Sequence, residues 1–538
     1  MKILCLFLFS LVSATGLAQS FSRADSLRGT LNTNRSWWDV QHYDLTVEPE
    51  YETKSLRGHL QMVFRTVQSG SIMQIDLQTP LLLDSVIWHG RTLPAQRDEQ
   101  AFLVSFPQAL KAGQVDTLRI IYHGLPREAV NPPWDGGWIW ARDAKGRPWM
   151  SVACQGLGAS VWYPCKDHQS DEPDLGATLT VVTPNELVGV ANGRLIKKEE
   201  KNGKTAHTWR VTNKINSYNL VPYIGYYADW SDSYAGTQGK LDLSYYVLDY
   251  EIEKAKKQFV QVPSMLKCFE YWFGAYPFYS DGFKLVQSPH LGMEHQSAIA
   301  YGNKFMNGYL GSDLSGTGWG LKWDFIIIHE SGHEWFGNSI TTPDIADMWV
   351  HEGFTAYSET LYTECLFGKE AGSDYVTGTR RLIQHDKPVI GPYGVNTEGS
   401  GDMYYKGANL IHTLRQLFPS DDAFRQFLLD VNKRYFISQA SSADIEKLFS
   451  VHLGRDLSRI FDQYLRTTQV PVLEYRLENN KLSYRWTNVL EGFDLPVKVA
   501  NTKTWLKPSQ EWKKYKGAWR ETELVIDPNF YIHVNRVK

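Results

Sequence analysis

From Trp37 to about Ser244, apolar and polar residues alternate with a period of two in short runs, as at 42–47 and 60–64. Alternation of this kind buries one face of a strand and leaves the other in solvent. Turn residues separate the runs and no long helical stretch intervenes. Residues 36–245 are therefore predicted to form a large, mostly antiparallel β domain.

The period changes after Asp249. Residues 251–273 repeat apolar positions at helical spacing, and helices then dominate to about Leu465, among them 319–336, 349–367 and 407–417. After Val470 alternation returns at 473–477 and 481–486, which predicts a small C-terminal β-sandwich over 466–538. The fold class expected is α+β and multidomain: β domain, mainly helical domain over 246–465, β domain.

The two ends of the pattern carry different messages. A short basic start, Met1-Lys2, precedes an apolar run at 3–12, and Gly16-Leu17-Ala18 offers small residues where a signal peptidase inspects them. Residues 1–18 thus read as a signal peptide, too short for a membrane anchor, which needs about 20 apolar residues. Export to the periplasm or the exterior is expected, with no membrane span once the signal is removed. Residues 19–35 are polar and read as a loose leader.

At 538 residues the chain is too long for one core. A net charge of −3 gives no hint of nucleic-acid binding, and no basic run or internal repeat stands out. Beyond the signal four cysteines remain, Cys154, Cys165, Cys268 and Cys365. They are too few for a disulfide framework and contain no CxxC pair. A local Cys154–Cys165 bridge is compatible with the spacing, which does not settle it.

The chemistry concentrates at His329-Glu330-Ser331-Gly332-His333, inside the predicted helix 319–336. Residues four apart share a helix face, so both imidazoles can reach one metal ion. Glu330 stands beside them, placed to polarise a metal-activated water without being a ligand. Glu352, nineteen residues beyond His333 on the next helix, supplies a third ligand. Three protein ligands leave a position open, as catalytic zinc sites do. Two imidazoles and a carboxylate suit one zinc ion, and the same set can hold iron. Flanking apolar residues, 325–328 and 335–336, argue against a solvated helix face, because unpartnered histidines buried there would be costly. Glu359, seven residues after Glu352, is expected to support a histidine ligand from behind.

Three further segments narrow the reading: Gly292-Met293-Glu294-His295, Tyr404-Tyr405-Lys406-Gly407 and Cys154-Gln155-Gly156. With the 329–338 and 349–357 segments, the chain resembles the M1 family of zinc aminopeptidases over most of its length. The resemblance implies a thermolysin-like catalytic domain with His329, His333 and Glu352 as zinc ligands and Glu330 as general base. It implies that Glu294, presented by Gly292 and Met293, grips the substrate's free α-ammonium. Gln155 matches a Gln or Glu contributed by the β domain, and Tyr404 matches a tyrosine that stabilises the oxyanion. The partners implied are peptides with a free N-terminus. Oligomeric state is not addressed by the sequence.

Two positions depart from the family pattern. His295 and His351 each stand where an Asn is usual. Histidine still donates a hydrogen bond, so the loops are expected to keep their fold. An imidazole also titrates near neutrality, which puts substrate positioning and pH response in question.

Two other readings compete. A thermolysin-like endopeptidase shares the metal residues but has no use for an ammonium-binding Glu294. A non-catalytic binding module would not need all four zinc-chemistry residues, which are present.

Overall fold

The computed structural model describes residues 21–519 and 523–538; the expected signal peptide at 1–18 lies outside the described residues. In the N-terminal region Trp38–Glu50 pairs antiparallel with Ser55–Thr66 and parallel with Ala177–Pro184. These strands belong to an eight-stranded sheet whose other pairings are antiparallel. Ala177–Pro184 buries every second residue, as its sequence alternation requires. Two smaller sheets pack with it around a core that includes Trp38, Tyr43, Leu60, Trp138, Trp162 and Tyr223.

The hairpin Tyr227–Gly236 and Gly239–Leu248 does not stop at the change of period. Gly239–Leu248 pairs parallel with Phe283–Gln287, which pairs parallel with Ile299–Tyr301. The edge of this five-stranded sheet is the two-residue strand Gly292–Met293. The sheet thereby carries the 292–294 segment up to the helices.

Helices Val262–Phe273 and Phe325–Gly332 contact the sheet, Trp349–Phe367 packs on both, and Tyr405–Arg415 packs on Trp349–Phe367. The third of these has the predicted limits. The second is shorter than the predicted 319–336, for a local reason: after a 3-10 turn at Trp319–Lys322 the chain is extended at Trp323, and Asp324 then caps the helix, accepting from the amides of Ile326 and Ile327. A disulfide joins Cys268 to Cys365, tying the first helix to the end of the third. Cys154 and Cys165 are buried free thiols, so the local bridge that their spacing allowed is not formed.

At the C-terminal end, Val472–Glu478 pairs antiparallel with Lys481–Thr487 and parallel with His533–Arg536. Leu473, Tyr475, Leu482 and Trp486 from these strands share one core with the helices, and Tyr464 Oη donates to Tyr531 O (2.6 Å).

Residues 21–35 are not loose. Arg23–Gly29 is a helix with a Ser22–Asp25 capping box. Arg35, fully buried, donates through Nη1 to Arg28 O (2.7 Å) and pairs with Asp76. A polar sequence misled here because its polar groups are used inward. Among the described residues no helix is long and apolar enough to cross a membrane.

Candidate active site

Helix Phe325–Gly332 places His329 in its last turn, and His333 follows at its C-cap. The two rings lie 5.0 Å apart, centre to centre. Each outer nitrogen is committed: His329 Nδ1 donates to Glu359 Oε1 (2.7 Å), and His333 Nδ1 donates to Phe336 O (2.9 Å). Tyr375 in turn donates to Glu359 Oε2 (2.6 Å). The inner nitrogens are thereby fixed toward Glu352, whose Oε2 stands 3.7 Å from His329 Nε2 and 3.2 Å from His333 Nε2.

These separations fit a metal. Donor atoms about 2.0–2.2 Å from a tetrahedral zinc lie about 3.3 Å from one another. Glu352 Oε2 is buried with no hydrogen-bond partner, as an oxygen reserved for a cation would be. His329, His333 and Glu352 are all buried. Glu359, bonded to His329 Nδ1, stands where a carboxylate would orient that ring and raise its basicity if His329 held a metal. A second trio, Glu294, Glu330 and His333, also has its ligand atoms within 4.8 Å of one another. It is the poorer cage, because Glu294 Oε1 already accepts from Tyr218 Oη (2.8 Å) and Gln155 Nε2 (2.5 Å).

Glu330 is buried beside this set. Burial pushes its carboxyl up to about 7; protonated His329 pulls it back and Glu294 pushes it further. A divalent cation between the ligands would draw it down again. Gly292 is needed at the strand edge, since a Cβ there would come within 2.6 Å of Glu330 Oε1 and 2.9 Å of Ile326 Cδ1. Met293 next to it is buried and lines the same cavity.

Glu294 itself is buried, and its carboxyl is raised by desolvation while His333 opposes. Its main-chain carbonyl accepts from Asn338 Nδ2 (2.7 Å). Sequence reasoning missed Tyr218 and Asn338 as its holders. Asn338 lay within the 329–338 segment already singled out, whereas nothing around Tyr218 marks it.

Tyr404 precedes helix Tyr405–Arg415, and its ring stacks on His329 at 5.9 Å. Burial, with Glu352 next in effect, holds its phenol well above the usual range, so it remains a donor. Two glycines let this helix start close to the Glu352 turn. A Cβ on Gly407 would sit 3.0 Å from the Gly353 Cα, and one on Gly353 would sit 3.2 Å from Met403 O.

Gln155, Gly292, Met293, Glu294, His329, Glu330, His333, Glu352 and Tyr404 line one cavity of ≈ 610 Å³, together with Trp134, Tyr309, Gln384, Glu398 and Asp402. Its polar and apolar walls can hold a short peptide segment.

The two departures are not at neutral-pH switch positions. His295 is fully buried, with Nδ1 against Tyr223 Oη (2.6 Å), and burial holds its pKa well below the usual imidazole value. His351 is likewise buried, its Nε2 3.2 Å from Thr342 Oγ1, and burial lowers it to about 3. Both are neutral packing residues, so neither supplies a response near neutrality.

Comparison with known proteins agrees with this geometry. The model of the peptidase family M1 domain matches residues 250–464, and that of the peptidase M1 N-terminal domain matches 39–219. Among curated relatives, a leucyl aminopeptidase of Saccharolobus solfataricus is 22% identical over 349 residues, covering 62% of this chain and 43% of that protein. Human endoplasmic reticulum aminopeptidase 1 is 22% identical over 429 residues, covering 77% and 43%. The chain spans about half the length of the curated relatives it matches. Among solved structures, an M1 zinc metallopeptidase mutant of Deinococcus radiodurans bound to a Tyr-Ser-Ala substrate aligns with a TM-score of 0.67. It is 23% identical, with 81% of this chain and 96% of that chain covered.

Proposed function

This chain belongs to peptidase family M1, and from that premise we propose that it is an exported zinc aminopeptidase, releasing the N-terminal residue of peptides. One observation carries the reading. The Glu294 carboxylate is fixed by Tyr218 and Gln155, and it lies within 4.8 Å of donor atoms of Glu330 and His333. A carboxylate so close to the hydrolytic groups rewards a cationic terminus and sets the scissile bond one residue in.

His329, His333 and Glu352 would hold one zinc ion, which when bound supplies a Lewis acid that activates water and polarises the scissile carbonyl. Glu330 takes the proton of the attacking water and passes it to the leaving amine. Tyr404 donates its phenolic hydrogen to the carbonyl oxygen as negative charge develops there. Glu359 and Phe336 O keep the two imidazoles in the tautomer that presents Nε2. Export is supported by the basic-apolar-small pattern of residues 1–18 and by the Cys268–Cys365 disulfide, a bond suited to an oxidising compartment.

The test is a cleavage panel of free and N-acetylated aminoacyl substrates, with chelator and with zinc restored. Zinc-dependent release from unblocked substrates alone is expected. Equal cleavage of blocked peptides would reassign the protein as an endopeptidase and remove the role given to Glu294.

A further inference from the structure

Five carboxylates, those of Glu294, Glu330, Glu352, Glu398 and Asp402, line the cavity, and no lysine or arginine does. Four have a task. Glu352 completes the metal set, Glu330 is placed as the base, and Glu294 faces the ammonium. Asp402 is part of the scaffold, with Oδ1 accepting from Gln384 N (2.7 Å) and Oδ2 from His385 N (2.8 Å).

Glu398 is left over. Its Oε1 lies 3.2 Å from where a Cβ on Gly156 would be, so the carboxylate stands beside the Gln155 loop, at the ammonium end of the cavity. Burial raises its pKa, Glu352 and Glu294 add to this, and Lys387 opposes it. Lys387 is exposed, and its Nζ points to the main-chain oxygen of Glu398 (3.4 Å). No donor among the described residues bonds the carboxylate itself. A half-buried carboxylate that lines a cavity holding no lysine or arginine is placed to pair with a cation brought by a ligand.

The charge of the cavity points the same way. A divalent ion and a substrate α-ammonium together offset three of the five negative charges. The surplus draws in a second positive group. The apolar side chains of Trp134, Leu314 and Leu382, which also line the cavity, suit a long aliphatic stem.

We propose that Glu398 is a specificity-determining residue, binding the guanidinium or ammonium of an arginine or lysine side chain on the substrate's N-terminal residue. The proposal rests on the aminopeptidase reading of the same site.

The experiment compares kcat/KM for Arg-, Lys-, Leu- and Glu-aminoacyl substrates in the wild-type holoenzyme and in the isosteric Glu398→Gln variant. It also compares argininamide and leucinamide binding by calorimetry in both proteins. The wild type is expected to favour Arg and Lys over Leu and to handle Glu worst. Glu398→Gln is expected to lower the Arg-to-Leu ratio roughly 10- to 100-fold, the effect of losing one charge-assisted hydrogen bond, and to lower the argininamide-to-leucinamide affinity ratio likewise. An unchanged ratio would overturn the proposal, as would an equal loss on all substrates, which would assign Glu398 to the α-ammonium. Failure to cleave any free aminoacyl substrate would instead sink the aminopeptidase reading, and the two amides would still decide what Glu398 binds.

Discussion

Among single residues, those with fixed spacing were legible and those gathered by the fold were not. His329, His333 and Glu352 follow from helix geometry, and Glu359 from one further step along the same helix. Tyr218 holds Glu294 from 76 residues away in sequence, and no local pattern marks such a partner. The roles proposed for Glu330 and Tyr404 divide cleanly in kinetics. Glu330→Gln is expected to keep zinc at one ion per chain and to abolish turnover; metal analysis beside activity checks it. Tyr404→Phe is expected to lower kcat by on the order of a hundredfold, the scale of one lost oxyanion donor, with KM little changed. A pure KM effect would show that Tyr404 only contacts the ground state.

Secondary elements were legible where side-chain pattern decides them and not where backbone contacts do. The limits of Trp349–Phe367 agree with the sequence pattern because its apolar and small residues face neighbours all round. The 319–336 segment broke at Asp324 because a capping side chain competes with helix continuation, which periodicity does not register. The approach of Tyr405–Arg415 to Trp349–Phe367 through Gly353 and Gly407 was also hidden, since a glycine in a helix reads first as a weakness. Gly407→Ala would need the two helices to separate, at about 1–3 kcal/mol of overpacking. It is expected to lower the Tm and, by shifting Tyr404, to lower kcat more than it raises KM. Unchanged kinetics in a folded variant would show that Tyr404 is positioned by something else.

On the scale of the whole molecule, the order of β, helical and β regions was legible, but the seams were not. The 227–248 hairpin pairs into the sheet behind the site, and the C-terminal strands share a core with the helices. His412 belongs to such a seam. Its Nε2 meets Asn529 Oδ1 (2.9 Å) and its Nδ1 meets Tyr357 Oη (3.1 Å), while burial lowers its pKa to about 3. The folded chain therefore refuses a proton that the unfolded chain accepts below about pH 6.5, so stability from this residue is present above that pH and lost as pH falls toward 3. The stability difference between wild type and His412→Gln should move against the wild type by about 1.4 kcal/mol per pH unit through that window. Denaturant titrations at pH 7, 6 and 5 measure it; parallel pH profiles would contradict it.

The docked helix Arg23–Gly29 has a practical side. Arg28 Nη2 and Asn396 Nδ2 both donate to Gly156 O (2.8 and 2.9 Å), and Thr30 Oγ1 donates to Gly394 O (2.7 Å). This helix and Thr30 thus brace the two loops that carry Gln155 and Glu398. Cutting the protein back to Leu31 is expected to leave zinc content intact and raise KM several-fold, and an unchanged KM would deny the prop any part in substrate binding. Fusions and tags placed against Arg23–Gly29 are accordingly expected to disturb the loops of Gln155 and Glu398.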